Sequence, residues 1–267
     1  MIVLDLEADL DLAREAAVAA GELALSHFGA GRRSWYKGPG QVVTEADLAV
    51  DALLHDMLRD ARPDYGWLSE ERVDDRSRTR CPRAWVVDPI DGTRAFAEGV
   101  PQFAISIALV ERGEPLLGVV LNPATAEHFE ACHGGSAWLN GQRLTVSSRT
   151  DLVGATLLSS RTEMKRRHWP SMIPEASFTT VGSLAYKLAL IADGRFDGLV
   201  SLRASHDWDI AAAQLLVSEA GGRLTDAAGR AIVLNQETPR HAGLAVAGTG
   251  RLHGALLARL ETAAAAP

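Results

Sequence analysis

Residues 84–93 read Ala-Trp-Val-Val-Asp-Pro-Ile-Asp-Gly-Thr, the stretch that most restricts what this chain can become. Four apolar residues in a row suit a strand buried on both faces. Pro89 biases Asp88 toward extended backbone, so the strand is expected to end there. That leaves Asp88 at the tip of a buried strand, where a carboxylate without a partner is costly. Asp91 follows three positions on, and two carboxylates straddling one Pro-fixed turn can point into one space. Gly92 lets the backbone approach a ligand closely. The N–H groups of Gly92 and Thr93 open the next helix, an arrangement that favours an anion. Carboxylate oxygens and a freed backbone carbonyl are hard ligands of the kind Mg²⁺ prefers. Asp91 could instead be a helix cap worth about 1 kcal/mol, but capping does not explain Asp88.

Upstream the pattern is helical. Leu6, Leu10, Ala13, Ala17, Ala20, Ala24 and Phe28 fall on one face of a helix over 6–28. A glycine-rich loop is expected over Gly29–Gly40. Thr44-Glu45-Ala46-Asp47 is a variant capping box opening a helix at 45–60, with Leu48, Asp51 or Ala52, and Met57 or Leu58 on its buried side. The charged stretch Glu71–Arg83 reads as an exposed connection. Downstream, Gln102–Val110 and Leu116–Asn122 form a hairpin, followed by strands at Glu127–His133, Ala137–Leu139 and Gln142–Ser147. Asn140-Gly141 suits a type I′ turn between the last two.

Beyond Ser148 the elements alternate. Strand Ala155–Ser159 precedes a basic stretch, Arg161–Pro170. Helix Ser183–Asp193, strand Phe196–Ser201 and helix Asp207–Ala220 follow, the last stopped by Gly221-Gly222. Short strands Arg223–Thr225 and Ala231–Val233, strand Leu244–Ala247, helix Arg251–Thr262 and a frayed Ala263–Pro267 tail complete the chain. At about 150 residues per domain, 267 residues give one large domain or two intimate lobes. The change of pattern divides them into an α+β lobe over 1–147 and an α/β lobe over 148–267.

With 27 basic and 34 acidic residues the formal charge is −7. That argues against a nucleic-acid partner and looks at odds with a small anionic ligand. Asp5, Glu7, Asp9 and Asp11 near the start are unlike a signal peptide. The apolar runs Ala104–Val110 and Leu116–Leu121 fall far short of the roughly 20 residues that span a bilayer. A cytoplasmic protein without membrane partners is expected. Cys81 and Cys132 form no C-x-x-C pair, so free thiols in a reducing compartment are expected.

Three further acids share one kind of context: Asp47 in its capping box, Glu70 in Trp67-Leu68-Ser69-Glu70-Glu71, and Asp209 in His206-Asp207-Trp208-Asp209-Ile210. Each could be an ordinary helix N-terminal acid, worth about 0.3–1 kcal/mol. Together with Asp88 and Asp91 they could supply a multi-metal carboxylate site. Val43–Asp47, Leu68–Glu71, Trp85–Thr93 and Trp208–Ala212, in that order, resemble the motif set of the inositol monophosphatase superfamily, Mg²⁺-dependent and Li⁺-sensitive phosphomonoesterases. The resemblance covers about residues 37–220. It implies a layered α-β-α-β-α sandwich (α/β, or α+β) of the inositol monophosphatase and fructose-1,6-bisphosphatase type.

It also implies roles. Glu70, Asp88 and the Ile90 carbonyl would hold the metal that activates water, and Asp88, Asp91 and Asp209 a second, with two or three Mg²⁺ per site. Thr93, hydrogen-bonded to Asp47, would orient and deprotonate that water, and Gly92 and Thr93 would donate to the phosphate. The haloacid-dehalogenase phosphatases use Asp-x-Asp-Gly-Thr, and Asp88-x-x-Asp91-Gly-Thr is one residue too long for that pattern. Gly248-Thr249-Gly250 hints at dinucleotide binding, but too few residues follow it for a βαβ unit. A non-catalytic binding protein on the same scaffold would be expected to lack one of the acids; all are present.

Substrate choice points two ways. Lys187 in Gly182–Ala189, and Ser159-Ser160-Arg161-Thr162, resemble the bisphosphate nucleotidase branch, although Glu163 stands where that branch has a histidine. The spacing of Ser183 from Lys187 is that of the inositol phosphatases. Arg203 and the basic stretch 165–168 are further cation candidates, or a solvated face. Hydrolysis of the 3′-phosphate of 3′-phosphoadenosine 5′-phosphate is expected, with inositol 1-phosphate, fructose 1,6-bisphosphate or histidinol phosphate as alternatives. Asp209, Ser160, Arg161, Ser183, Lys187 and Arg203 would contact the substrate. His206 could approach the leaving group, or cap and pack. Trp208 is expected to pack and fix Asp209. A homodimer is possible through the apolar meander.

Overall fold

The computed structural model describes residues 2–29, 34–38, 41–167 and 169–265. The first part of the chain runs α1 (Ile2–His27), β1 (Ser34–Gly38), β2 (Gln41–Thr44), α2 (Glu45–Ala61), β3 (Gly66–Ser69), β4 (Arg83–Asp91), α3 (Thr93–Ala97), β5 (Ala104–Glu111), β6 (Glu114–Asn122), β7 (Glu127–Cys132), β8 (Ala137–Leu139) and β9 (Gln142–Arg143). The second part runs β10 (Thr156–Ser159), α4 (Arg161–Arg167), α5 (Trp169–Met172), β11 (Ser177–Thr180), α6 (Leu184–Ala192), β12 (Gly198–His206), α7 (Asp207–Glu219), β13 (Arg223–Asp226), β14 (Arg240–Ala247) and α8 (Gly250–Ala265).

A seven-stranded sheet takes its strands in the order β3-β4-β5-β6-β7-β8-β9, and a five-stranded sheet in the order β11-β10-β12-β14-β13. Alternation along the strands gives the layers, because successive side chains leave opposite faces. On β4, Trp85 and Val87 pack with α1 and α2, whereas Val86 packs with α6 and α7. In the second sheet Leu158, Leu199 and Val246 face that same α6/α7 layer, while Leu157, Val200 and Ala245 face α8. Helix pair, sheet, helix pair, sheet, helix: this is the α-β-α-β-α sandwich the resemblance implied. Both sheets are covered on both faces, which is why their strands read as continuous apolar runs. Among the described residues no helix is long and apolar enough to cross a membrane.

Several expectations need correction. The loop expected at 29–40 contains strand β1, paired antiparallel to β2. Leu48 is 46% exposed; the buried side of α2 is Ala46, Asp47, Val50, Asp51, Leu54 and Leu58, a face that includes two carboxylates and so defeats a purely apolar pattern. The connection 71–83 is not wholly exposed, because Arg78 is fully buried and Arg83 belongs to β4. Strand β4 does not stop at Asp88. Asp88 pairs with Ser106 and Asp91 with Ala104, so Pro89 and Ile90 stand opposite one residue in a bulge that spares Pro89 a ladder N–H. β9 is two residues long, β12 extends to His206, and 231–233 is not a strand. β11 went unread because its burial alternates without an apolar run. α8 continues through Ala265, and residues 266–267 of the expected frayed tail lie outside those described.

Candidate active site

The bulge in β4 builds the site. It lets Asp88 and Asp91 reach one point, while Gly92 ends the strand at φ +93°. A Cβ on Gly92 would meet Gln102 O and Ser183 N, each at 2.9 Å, so backbone from two other segments closes on this residue. Parallel pairing of β3 with β4 sets Ser69 against Val87, and the next step of that register carries Glu70 to the level of Asp88. Asp209 arrives from the second part of the chain on the first turn of α7, where its Oδ2 accepts His206 N–H at 2.6 Å. One oxygen each from Asp88, Asp91 and Asp209 lie within 4.8 Å of one another.

Such crowding is electrostatically expensive. Burial pushes the Asp88 carboxyl well above its ordinary range, and the charges of Glu70, Asp91, Asp209 and Asp47 push it further. Burial, then Asp91, does the same to Asp209. Asp91 is raised by burial against the opposing help of the Ser183 hydroxyl (2.6 Å), Ala185 N–H (2.5 Å) and the Lys187 charge. Asp88 Oδ2 is buried without a hydrogen-bond partner among the described residues. A buried carboxylate oxygen with nothing to accept, beside converging like charges, fits a hard divalent cation.

Asp47 is tied in from α2. Its Oδ2 accepts Thr44 N–H at 2.7 Å and the Thr44 hydroxyl at 2.5 Å, closing the capping box. Its Oδ1 lies 2.9 Å from Thr93 Oγ1, which is also 3.0 Å from Ile90 O. Burial raises the Asp47 carboxyl, against the lowering effect of these hydroxyl and N–H donors.

A cavity of about 260 Å³ opens beside the carboxylates, lined by Asp91, Gly92, Ser183, Asp209 and, further out, Ser160, Arg161, Lys187 and Arg203. The structure therefore brings the expected substrate-side residues, Thr93 excepted, to one cavity. Ser183 has a second duty there, since its Oγ accepts Tyr186 N–H at 2.9 Å and caps α6. Arg161 stands at the exposed rim, 3.2 Å from Glu98. Lys187 is buried, and burial lowers its ammonium against support from Asp91 and Glu163. Lys165 is exposed and not part of the lining, and the side chains of 166–168 lie outside the described residues.

His206 stacks on Trp208, ring centroids 4.5 Å apart, and its backbone N–H holds Asp209. Thr249 of the Gly-Thr-Gly stretch caps α8, taking Leu252 N–H at 3.2 Å. Both thiols are free, and burial pushes Cys132 up to about 11. Sequence reasoning missed Glu98 and Glu163 as members of this wall. Glu163 had one visible signal, an acid in an otherwise basic stretch.

The inositol monophosphatase family model matches residues 5–265. An inositol-1-monophosphatase of Rhizobium meliloti is 40% identical over 201 residues, 72% of this chain and 75% of that one. The Nus factor SuhB of Escherichia coli K12 is 35% identical over 231 residues, 82% and 85% of the two chains. The solved structure of a Thermotoga maritima IMPase superposes with a TM-score of 0.84 at 30% identity, covering 96% of this chain and 97% of that one. The carboxylate-lined bulge, the layered sandwich and these likenesses agree: the chain belongs to the inositol monophosphatase family, a magnesium-dependent family of phosphatases acting on small phosphorylated substrates.

Proposed function

We propose that this chain is a Mg²⁺-dependent phosphomonoesterase acting on the monophosphate of a hydroxylated ring, with inositol 1-phosphate as reference substrate. The observation that carries the reading is the convergence of Asp88, Asp91 and Asp209, the last two on the wall of a cavity that also holds Lys187 and Arg203. Glu70, Asp88 and the Ile90 carbonyl would hold one metal, and Asp88, Asp91 and Asp209 another. Bound Mg²⁺ would supply Lewis acidity toward the phosphate and its attacking water.

The chain's own residues position and move protons. Thr93 has one hydroxyl proton and two acceptors in reach, and donation to Asp47 Oδ1 leaves its oxygen able to accept from water. Asp47, once ionised, takes the proton that Thr93 passes on. The N–H groups of Gly92 and Thr93 would meet the phosphate, and the His206–Trp208 stack keeps Asp209 aimed. The acidic balance is then no obstacle to an anionic substrate, because bound cations invert the local field.

Two of the cavity's cations are already matched, Arg161 by Glu98 and Lys187 by Asp91 and Glu163. Such a wall suits hydroxyl groups beyond the reacting phosphate. A second reading is hydrolysis of 3′-phosphoadenosine 5′-phosphate, the nucleotidase reaction the Ser160–Arg161 and Lys187 segments resemble. The presence of Lys187 and Arg203 favours it, because a second phosphate needs cations of its own. In either reading the lobe 1–147 contributes Glu70 to Asp91, and the lobe 148–267 contributes Asp209 and the selectivity residues. Free thiols suit a cytoplasmic setting.

The test is phosphate release with Mg²⁺ from inositol 1-phosphate, fructose 1,6-bisphosphate and 3′-phosphoadenosine 5′-phosphate, with and without Li⁺. The highest kcat/KM on inositol 1-phosphate and inhibition by Li⁺ are expected. Preference for the bisphosphonucleotide would move the assignment to the second reading. No release from any ester would end the enzyme reading.

A further inference from the structure

Strand β12 pairs with β14 out of step at one place: Ser201 faces Leu244 and Ala204 faces Ala242. Leu202 and Arg203 therefore stand in a bulge opposite Gly243, whose φ of +78° and 2.7 Å approach to Ser201 O leave no room for a Cβ. Bulges re-aim side chains, and Arg203 joins the cavity wall here. The bulge is held from outside the sheet. Glu163 of α4, only 3% exposed, accepts Leu202 N–H at 2.8 Å on Oε1 and the Ser201 hydroxyl at 2.9 Å on Oε2. Ser160 Oγ accepts Glu163 N–H at 3.1 Å and donates back to Oε2 at 3.4 Å. Glu163 thus binds together Ser160 and Ser201, and shares the cavity wall with Lys187.

We propose that Glu163 sets the preference of this site for esters carrying a single phosphate: it holds the Arg203 bulge in place, and its fixed negative charge denies the cavity beside the metal carboxylates to a second phosphate. The inference rests on the phosphomonoesterase reading above. A phosphate seated near a desolvated carboxylate is repelled more strongly than it would be in water. Lys187, a buried cation on the same wall, already interacts with Asp91 and Glu163.

Glu163→Gln separates the charge from the scaffold. An amide can keep every contact, its oxygen accepting Leu202 N–H and its NH₂ donating to the Ser160 and Ser201 hydroxyls. Glu163→Ala removes the clasp as well. In Glu163→Gln the ratio of kcat/KM on 3′-phosphoadenosine 5′-phosphate to that on inositol 1-phosphate should rise about tenfold. Calorimetric titration with 3′-phosphoadenosine 5′-phosphate should tighten by a similar factor. Glu163→Ala should raise KM for both esters more than it lowers kcat. An unmoved ratio with unmoved affinity in Glu163→Gln would overturn the proposal. So would an equal loss on both esters in Glu163→Gln, which marks a structural role only. No turnover of either ester by the wild type would overturn the phosphatase reading instead, and the calorimetric comparison would still decide the charge effect.

Discussion

Thr93 Oγ1 lies 2.9 Å from Asp47 Oδ1, a contact that joins the end of the β4 turn to the first turn of α2 across 46 residues of sequence. Both partners are placed by local rules: Asp47 by the capping box with Thr44, Thr93 by the left-handed Gly92 before it. In the proposed mechanism the contact is one proton path, and it can be cut at either end.

At the carboxylate end, Asp47→Asn conflicts with its surroundings. Asp47 accepts from Thr44 on one oxygen and from Thr93 on the other, so an amide would turn its NH₂ toward Thr93, whose hydroxyl could then donate only to Ile90 O and not to residue 47. Loss of a positioned general base costs about 10²–10⁴-fold in rate. We expect kcat to fall in that range for Asp47→Asn and Thr93→Val with little change in KM, and Thr93→Ser to recover most of it. Because burial raises the Asp47 carboxyl and its ionised form is the acceptor, the acid limb of kcat should lie above the ordinary aspartate value of about 3.9. Steady-state kinetics across pH at saturating Mg²⁺ would check both.

Much of this was readable beforehand because the signals are short in range. The Thr44–Asp47 box, the buried run into Asp88 and the Asn140-Gly141 turn each depend on neighbours within a few residues. Both turn residues have the positive φ a type I′ turn needs, 48° and 77°. What stayed hidden depends on partners far along the chain. Arg78 looked solvated because its window is charged, yet it is buried by Asn235 and Gln236, more than 150 residues away. The pattern rightly places Asp51 on the buried face of α2, but it puts Leu48 there where Asp47 belongs, because Asp47 is held by Thr44 at 2.7 Å and Thr93 at 2.9 Å and its polarity does not mean exposure. Pro89 marks a strand end by propensity, and the ladder absorbs it as a bulge instead.

The carboxylate cluster makes the metal-free protein pH-sensitive in a stated direction. Asp88, Asp91 and Asp209 have folded pKa values raised above the unfolded value of about 3.9. Their contribution to stability is therefore fully present below that value and is lost as pH rises through the folded values. His128, His206 and His253, lowered by burial, act in the opposite sense, losing stability as pH falls below about 6.5. Asp88→Asn isolates the first effect. Relative to wild type it should raise the metal-free melting midpoint at about pH 8 more than at about pH 5, and abolish both turnover and Mg²⁺-induced stabilisation. Calorimetry of the two proteins with and without Mg²⁺ reads the two stability effects, and phosphate release reads turnover.

Gly92→Ala tests the crowding around the turn. The residue sits at φ +93°, which an L side chain rarely adopts, and its Cβ would lie 2.9 Å from two backbone atoms. Strain of this kind costs about 1–3 kcal/mol, and the steric overlap adds to it. The Thr93 hydroxyl would move with the backbone, so kcat should fall even where the fold survives. Urea unfolding together with kcat gives both numbers, and a variant of wild-type stability and rate would contradict the geometry.

Arg78 links stability to the site through the loop at 235–236. Its guanidinium is fully buried and forked onto Asp74 at 2.8 and 3.1 Å, with Asn235 Oδ1 at 2.6 Å and Gln236 O at 2.9 Å. Asn235 N–H in turn holds Asp207 Oδ2 at 2.6 Å, and Asp207 opens the helix that carries Asp209. Arg78→Met leaves a carboxylate and two acceptors without their donor, and breaking a buried pair from one side costs about 3–5 kcal/mol. Asp74→Asn should cost less, because Asp74 keeps partial access to solvent. If the loop transmits the change, Arg78→Met should also weaken apparent Mg²⁺ affinity, whereas a destabilising change remote from the site would not. Urea melts of the two single variants and the double variant measure the coupling, and Mg²⁺ titration of the folded Arg78→Met protein measures the transmission. Coupling between Arg78 and Asp74 with unchanged Mg²⁺ affinity would show that Arg78 fixes only the β3–β4 connection.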